Sequence, residues 1–219
     1  MVCGLILVLF SVKTFSRNMD WKDNYTLLKH DVEVHPESAR IRYAYGSELV
    51  LAKALKEDSL DEAWFHLGMA YKEKKDNKNA VRCFDKARSM KEFKDIDFYI
   101  ASGIAYGEDK QFDKAFADFN KAIAIDPSSN EVYNNLGLYQ TEAGMYQQAI
   151  TSLNKSIALK AANKNALYNL GNTYARMGDF NTAISYYQKA INVDPAYGDA
   201  YNNMGNSYAA MKDYKNALV

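Results

Sequence analysis

Proline, cysteine and net charge are all scarce in this chain of 219 residues, and each shortage excludes a class of protein. With only 3 prolines the chain does not resemble a disordered or linker-rich protein, which favours packed helices. Basic and acidic residues number 27 each, so there is no basic surface of the kind that binds nucleic acid. We therefore expect a mostly helical protein that does not bind nucleic acid.

Residues that commonly bind metals or catalyse reactions are equally sparse. The 2 cysteines, Cys3 and Cys83, lie in unrelated contexts, and His30 and His35 would point to different faces of a helix. The chain has no glycine-rich phosphate loop, nucleophile elbow or Cys-Xaa-Xaa-Cys pair. We predict no catalytic residues, no metal site and no cofactor, and hence a protein that is not an enzyme.

A long hydrophobic run is also missing, although residues 1–12 are apolar almost throughout. At about 1.5 Å per residue they span less than the hydrocarbon core of roughly 30 Å. A signal peptide would need a basic segment before the run and a small-residue cleavage site before Lys13 and Arg17, and neither is present. We interpret residues 1–13 as the end of a transmembrane helix whose beginning is missing.

Glycine and alanine recur with one common period along most of the chain. The glycines are spaced 35, 34, 34 and 34 residues apart, at Gly68, Gly103, Gly137, Gly171 and Gly205. The alanines keep the same spacing, at Ala80, Ala115, Ala149, Ala183 and Ala217. Two residue types that share one period of this length indicate stacked helix-turn-helix units.

The repeats resemble the tetratricopeptide-repeat (TPR) family. The clearest copy carries eight signature residues, Leu167, Leu170, Gly171, Tyr174, Ala183, Tyr187, Ala190 and Pro195. The resemblance implies an all-α fold, a right-handed TPR superhelix (α-α solenoid) preceded by the end of a transmembrane helix. The predicted segments are a junction with degenerate half-repeats at 14–60, full repeats at 61–95, 96–129, 130–163 and 164–197, and a partial repeat at 198–219.

The repeated glycines lie in mid-helix, where glycine costs about 1 kcal/mol relative to alanine. We expect close approach of the paired helix to offset this cost. Large residues such as Tyr174 and Tyr187 would fill the remaining space. The tyrosines are accordingly predicted to be core residues and not an aromatic ligand cage.

Polar residues recur on the first helix of each repeat, which lines the inner surface of such a superhelix. A ladder of amides consists of Asn135, Asn169 and Asn203, with His66 at the same position of an earlier copy. The predicted peptide-binding groove comprises His66, Asn134, Asn135, Tyr168, Asn169, Asn172, Asn202, Asn203 and Asn206. Amides both donate to and accept from a peptide backbone, and the ladder resembles the one in the TPR arm of O-linked N-acetylglucosamine transferase. The alternative is that these asparagines only satisfy backbone groups between repeats.

The segment before the repeats resembles the junction in transmembrane-and-TPR-containing glycosyltransferases. The matching residues are Arg17, Asn18, Trp21, Asn24, Leu27, Pro36, Ser38 and Ala39. In that family the catalytic acidic residues lie between earlier membrane helices, so none can be assigned in this chain. The resemblance implies repeats on the periplasmic or luminal side of a membrane, whereas Lys13, Arg17 and Lys22 favour a cytoplasmic side. We favour the side that the resemblance implies.

The leading hypothesis is therefore a protein-protein interaction module, the extracytoplasmic TPR arm of a multi-pass membrane glycosyltransferase-like protein. It would hold an extended polypeptide in the asparagine-lined groove. The alternative is a membrane-tethered TPR scaffold for complex assembly with no enzymatic parent. A third hypothesis, motivated by the abrupt end at Val219, is self-association through the open last repeat.

Overall fold

The computed structural model describes residues 60–90 and 92–217, and the regular elements in these residues are α-helices. The helices are α1 (Leu60–Glu73), α2 (Asn77–Met90), α3 (Ile96–Glu108), α4 (Phe112–Ile125), α5 (Asn130–Glu142), α6 (Tyr146–Leu159), α7 (Lys164–Arg176), α8 (Phe180–Val193) and α9 (Gly198–Ala210). Each odd-numbered helix is the first of a repeat, and α1, α3, α5 and α7 each pack against the even-numbered helix that follows. The predicted all-α solenoid is confirmed.

The chain divides into two units, residues 1–52 and residues 53–219, and the described residues all belong to the second unit. The predicted membrane-helix end at 1–13 and the junction motif at 17–39 lie outside the described residues. Among the helices that are described, none is both long and apolar enough to cross a membrane.

The turn after each first helix has the same backbone in every described repeat. One residue per turn has a positive φ, between 58° and 84°, and these residues are Lys75, Lys110, Gly144, Gly178 and Lys212. Glycine adopts this left-handed conformation freely, whereas a residue with a side chain pays about 1 kcal/mol or more. Because lysine is accepted at three of these turns, the packing of the two helices imposes the turn conformation.

Mid-helix glycines allow the two helices of each repeat to approach closely. A Cβ atom at Gly103 would lie 2.9 Å from the ring of Phe119 on the paired helix. At Gly171 it would lie 2.4 Å from Cε1 of Tyr187, a residue that is almost fully buried. Both distances are well below van der Waals contact, so the predicted reason for the glycine repeat is confirmed.

Consecutive first helices also meet through a matched pair of positions. A Cβ atom at Gly107 would lie 2.4 Å from the ring of Tyr139 in the next repeat. One repeat further on, the equivalent residues are Thr141 and Thr173, whose buried hydroxyl groups are 2.7 Å apart and hydrogen-bonded. At the first of these junctions a large residue on one helix packs against a glycine on the next. At the second junction two medium-sized threonines occupy the equivalent positions.

A partly buried ion pair joins the first two repeats. Arg88 on α2 donates to the two carboxylate oxygens of Asp118 on α4, at 2.7 and 2.5 Å, and to the Ser102 hydroxyl on α3, at 3.3 Å. Ser102 donates a short hydrogen bond to the same carboxylate. Asp118 is fully buried. Burial would lower the pKa of Arg88, but the hydrogen bond to Asp118 and the nearby negative charge raise it above its usual value, so the guanidinium stays charged.

These three polar residues interrupt an otherwise apolar pattern. In the repeat register, later copies of the Arg88 position are Ile123, Ile157 and Ile191. Other copies of the Ser102 position are Leu67, Leu136 and Leu170. The repeat comparison did not predict the ion pair, although the missing leucine at position 102 was a visible signal.

Replacing Gly171 with alanine should lower the free energy of unfolding by about 1–2 kcal/mol, because overpacking against Tyr187 outweighs the gain in helix propensity. Urea unfolding followed by circular dichroism measures this difference. The matched control is Gly198→Ala at the start of α9, where an added Cβ meets no atom within 4 Å. A similar loss of stability in both variants would contradict the close-approach explanation.

Replacing Asp118 alone with alanine should cost about 2–3 kcal/mol, because it removes the hydrogen bonds to Arg88 and Ser102, while the Arg88 side chain, 30% exposed, still reaches water. The triple variant Arg88→Ile, Ser102→Leu and Asp118→Ser introduces residues that other repeats carry at these positions. It should unfold at nearly the same urea concentration as the natural chain, since apolar packing can replace a buried ion pair. If the triple variant is as unstable as Asp118→Ala, the polar residues have no apolar equivalent here.

Candidate functional site

The first helices of successive repeats form a continuous layer. Helix α1 contacts α3, α3 contacts α5, α5 contacts α7, and α7 contacts α9. Within the described residues, consecutive second helices make at most marginal contacts with one another. Side chains from several first helices can therefore reach a single ligand, whereas those of the second helices are more widely separated.

A cleft of about 470 Å³ lies over α7, between α5 and α9. Helix α5 contributes Leu138, Thr141 and Glu142, and α9 contributes Asn203, Asn206 and Ser207. The central helix α7 and helix α8 supply the remainder, Tyr168, Asn169, Asn172, Ala175, Arg176, Phe180 and Tyr187. Polar and apolar atoms contribute almost equally to its lining, and the two exposed charged residues at its edge, Glu142 and Arg176, have opposite sign.

Asn172 is the hub of a hydrogen-bond network in this cleft. The Tyr187 hydroxyl donates to Asn172 Oδ1 at 2.8 Å, and Asn203 Nδ2 donates to the same oxygen at 2.9 Å. Asn203 Nδ2 also donates to the Tyr168 hydroxyl at 2.8 Å. Burial raises the pKa of Tyr187 well above its usual range, so this hydroxyl keeps its proton and remains a donor.

The amide ladder is linked from repeat to repeat by side chains. Asn169 Nδ2 donates to Asn134 Oδ1 of the preceding repeat at 3.0 Å. The bond from Asn203 to Tyr168 joins the equivalent positions one repeat later. The side-chain amides of Asn169 and Asn203 bond to side chains and not to backbone groups in the described residues, so the ladder also holds adjacent first helices in register.

The network leaves some polar atoms of the cleft without a partner among the described residues. The side-chain amino group of Asn172 and the side-chain carbonyl oxygen of Asn203 form no hydrogen bond with the described residues. Asn206 is exposed and lines both the cleft and a smaller neighbouring cavity, and its amide has no partner among the described residues. The cleft therefore presents fixed donors and acceptors to any ligand that enters it.

The other predicted groove residues occupy different places. Asn135 is half-buried on α5, and Asn202 is exposed and lines a smaller cavity of about 230 Å³ beside α9. His66 is exposed on α1, where its ring lies 5.2 Å from that of Phe65. The cleft over α7 is not lined by Asn135, Asn202 or His66.

Several residues of the cleft were not predicted. Arg176 and Glu142 lie one helical turn beyond the recurring polar positions and form the charged edge. Leu138 occupies the same repeat position as Asn172. The helical period continued for one more turn would have identified Glu142 and Arg176, and the 34-residue repeat would have identified Leu138.

The described residues offer little for catalysis or metal binding. No group of three or more histidine, cysteine or carboxylate side chains in these residues could hold a metal ion. Burial raises the pKa of Cys83 to about 11, so its thiol is protonated and unreactive at neutral pH. What the arrangement can do is bind a ligand that has both hydrogen-bond donors and acceptors.

Family comparisons match most of the described part of the chain. A tetratricopeptide-repeat profile matches residues 61–93 and 96–129, and another matches residues 165–197. A TPR-repeat profile matches residues 140–178. The predicted TPR resemblance is confirmed.

Solved structures with a similar fold include the MamA protein, which is 26% identical with a TM-score of 0.59 over 72% of this chain and 86% of that one. PilF of Pseudomonas aeruginosa is 21% identical with a TM-score of 0.60, over 74% of this chain and 73% of that one. YrrB, a TPR protein with an unusual peptide-binding site, is 19% identical with a TM-score of 0.56, over 78% and 88%. The last two likenesses concern the fold alone.

A curated relative is the UDP-N-acetylglucosamine–peptide N-acetylglucosaminyltransferase of Giardia intestinalis. It is 31% identical over 74 residues, which is 34% of this chain. The match spans 5% of the length of that enzyme.

Asn203→Ala should lower the free energy of unfolding by about 1–2 kcal/mol, because it removes two hydrogen bonds that join α9 to α7. Its neighbour Asn202→Ala is the matched control, since Asn202 is exposed and should be neutral within about 0.5 kcal/mol. Urea unfolding of the two variants measures the difference. Equal stability would mean that the ladder contributes nothing to repeat stacking.

Proposed function

Because this chain belongs to the tetratricopeptide-repeat family, we propose that it binds an extended polypeptide segment in the cleft over α7. The observation that carries the proposal is the set of cleft amides, which bond to one another across repeats and still have unused donors and acceptors. A peptide backbone in an extended conformation presents N–H and C=O groups that match such amides. Amides already held in place lose little entropy on binding.

Backbone recognition fits the composition of the cleft. The amino group of Asn172 can donate to a peptide carbonyl, and the carbonyl oxygen of Asn203 can accept from a peptide N–H. Asn206 can do either, because it is exposed and unconstrained. Because these contacts are made to the peptide backbone, they would bind extended segments of many different sequences.

We further propose that the repeats are the binding arm of a membrane glycosyltransferase-like protein, on its periplasmic or luminal side. Support comes from the junction resemblance and from the match to a peptide N-acetylglucosaminyltransferase, an enzyme whose substrate is a polypeptide. In this proposal the repeats capture the acceptor and the chemistry takes place elsewhere. The residue set of the described repeats favours binding over catalysis.

A membrane-tethered scaffold without an enzymatic parent is the alternative, and one observation favours it. Each second helix ends in an exposed aliphatic residue at the same repeat position, namely Met90, Ile125, Leu159 and Val193, which are 37–44% exposed. A partner that packs along these helix ends would leave the cleft empty. Substitutions in the cleft would then have no effect on binding.

Asn206→Ala should weaken peptide binding about fivefold, which corresponds to one hydrogen bond of ~1 kcal/mol. Asn206→Trp should abolish binding, because the indole fills the cleft. A cellulose array of short peptides with varied sequences identifies binders, and fluorescence anisotropy with fluorescein-labelled copies gives Kd. Both variants should keep the unfolding midpoint of the natural chain, since Asn206 is exposed.

The matched control is Asn154→Ala, an exposed amide on the second helix α6. It should bind peptides as the natural chain does. If Asn206→Trp also binds normally, the cleft is not the binding site and the scaffold alternative is favoured.

A further inference from the structure

The first helices carry a charge pattern that the neutral composition conceals. Helix α3 contains Asp97 and Glu108, and α5 contains Glu131 and Glu142, with no lysine, arginine or histidine in either helix. The second helices α6 and α8 each carry a lysine and no acidic residue. Negative charge is therefore concentrated on α3 and α5, whereas α7, the central helix of the cleft, carries Lys164 and Arg176 and no acidic residue.

The repeat register identifies which face of α3 continues this cleft. On α7 the lining residues include Tyr168, Asn172 and Arg176. The residues at the same positions of α3, two repeats earlier, are Ile100, Ile104 and Glu108. Helix α5 lies between them, and its residues at the last two of these positions, Leu138 and Glu142, line the cleft directly.

The same face thus changes from amides to aliphatic side chains towards the first repeats. Ile100, Ile104 and Leu138 are only partly buried and rest on the core below them. Phe65 and Met69 on α1 are also partly exposed and belong to the same cluster. Leu138 lies in both regions, which makes the aliphatic surface continuous with the amide cleft.

Helix stability does not account for the two glutamates on this face. Glu108 and Glu142 are the last residues of α3 and α5, where the helix dipole disfavours negative charge. Both are exposed, and within the described residues neither forms an ion pair. Glu108 accepts a hydrogen bond from Tyr139 at 3.2 Å, which keeps its carboxylate beside the aliphatic surface.

We propose that the segment bound over α3 and α5 is aliphatic and flanked by lysine or arginine, and that its backbone continues into the amide cleft over α7 and α9. The aliphatic side chains would cover Ile100, Ile104 and Leu138. The basic side chains would pair with Glu108 and Glu142 at the edge. This inference rests on the proposed function and adds the chemistry of the partner to it.

Three fluorescein-labelled peptides test the proposal by anisotropy. All share one neutral glycine-serine tail, and their other halves alternate lysine with leucine, glutamate with leucine, or lysine with serine. At low ionic strength the lysine-leucine peptide should bind at least roughly tenfold more tightly than either of the others. Added salt should reduce its advantage over the glutamate-leucine peptide, because exposed charges are screened.

Two double variants assign the effect to the proposed surface. Glu108→Gln with Glu142→Gln should remove most of the preference for lysine over glutamate. The control Glu92→Gln with Asp113→Asn makes the same change in net charge at exposed residues outside the first helices and should preserve the preference. Ile100→Asn with Ile104→Asn, which mimics Asn134 and Asn172 of later repeats, should remove the preference for leucine over serine.

The outcomes separate this inference from the proposed function. Equal binding of the lysine-leucine and glutamate-leucine peptides, abolished by Asn206→Trp, would overturn the inference and leave the peptide cleft intact. Failure of all three peptides and of the array to bind would overturn both. If the isoleucine variant does not fold, as judged by circular dichroism, the glutamate variant alone decides.

Discussion

Close approach of the two helices within each repeat is the constraint on which the rest of the molecule depends. A large side chain from the second helix packs directly against a glycine on the first. Phe119 packs against Gly103 in this way, and Tyr187 packs against Gly171. Because the large side chain is buried against backbone, the orientation of the first helix about its own axis has little freedom. That orientation determines which side chains face away from the partner helix, and these are the residues that form the cleft.

Contacts between repeats follow from the same arrangement but use different chemistry along the chain. A partly buried ion pair joins the first and second repeats, a tyrosine against Gly107 joins the second and third, and two hydrogen-bonded threonines join the third and fourth. Amide ladders add to the last junctions. Polar contacts of this kind have strict geometric requirements, so they specify how repeats stack as well as how firmly. The amides that hold α7 and α9 together are therefore preorganised for a ligand.

The two proposals concern neighbouring parts of one surface, one that binds a polypeptide backbone and one that binds particular side chains. Amides over α7 and α9 fit a polypeptide backbone, and aliphatic residues with glutamates over α3 and α5 fit particular side chains. Backbone contacts would supply affinity for extended chains in general, whereas the aliphatic and charged region would select among them. Such a division suits a module that presents polypeptides to another protein, whether that protein is an enzyme or a member of a complex.

The sequence by itself determined the repeat, the fold and the identity of the core positions, because residues such as Gly171 and Tyr187 recur at a period that only paired helices explain. It also located the amide positions, but it could not say what they bond to. Only the tertiary structure decided that Asn169 and Asn203 bond to side chains of the preceding repeat and that Arg88 reaches Asp118. The reason is physical: a period describes each repeat separately, whereas these contacts depend on the rotation and spacing between repeats, which arise from packing.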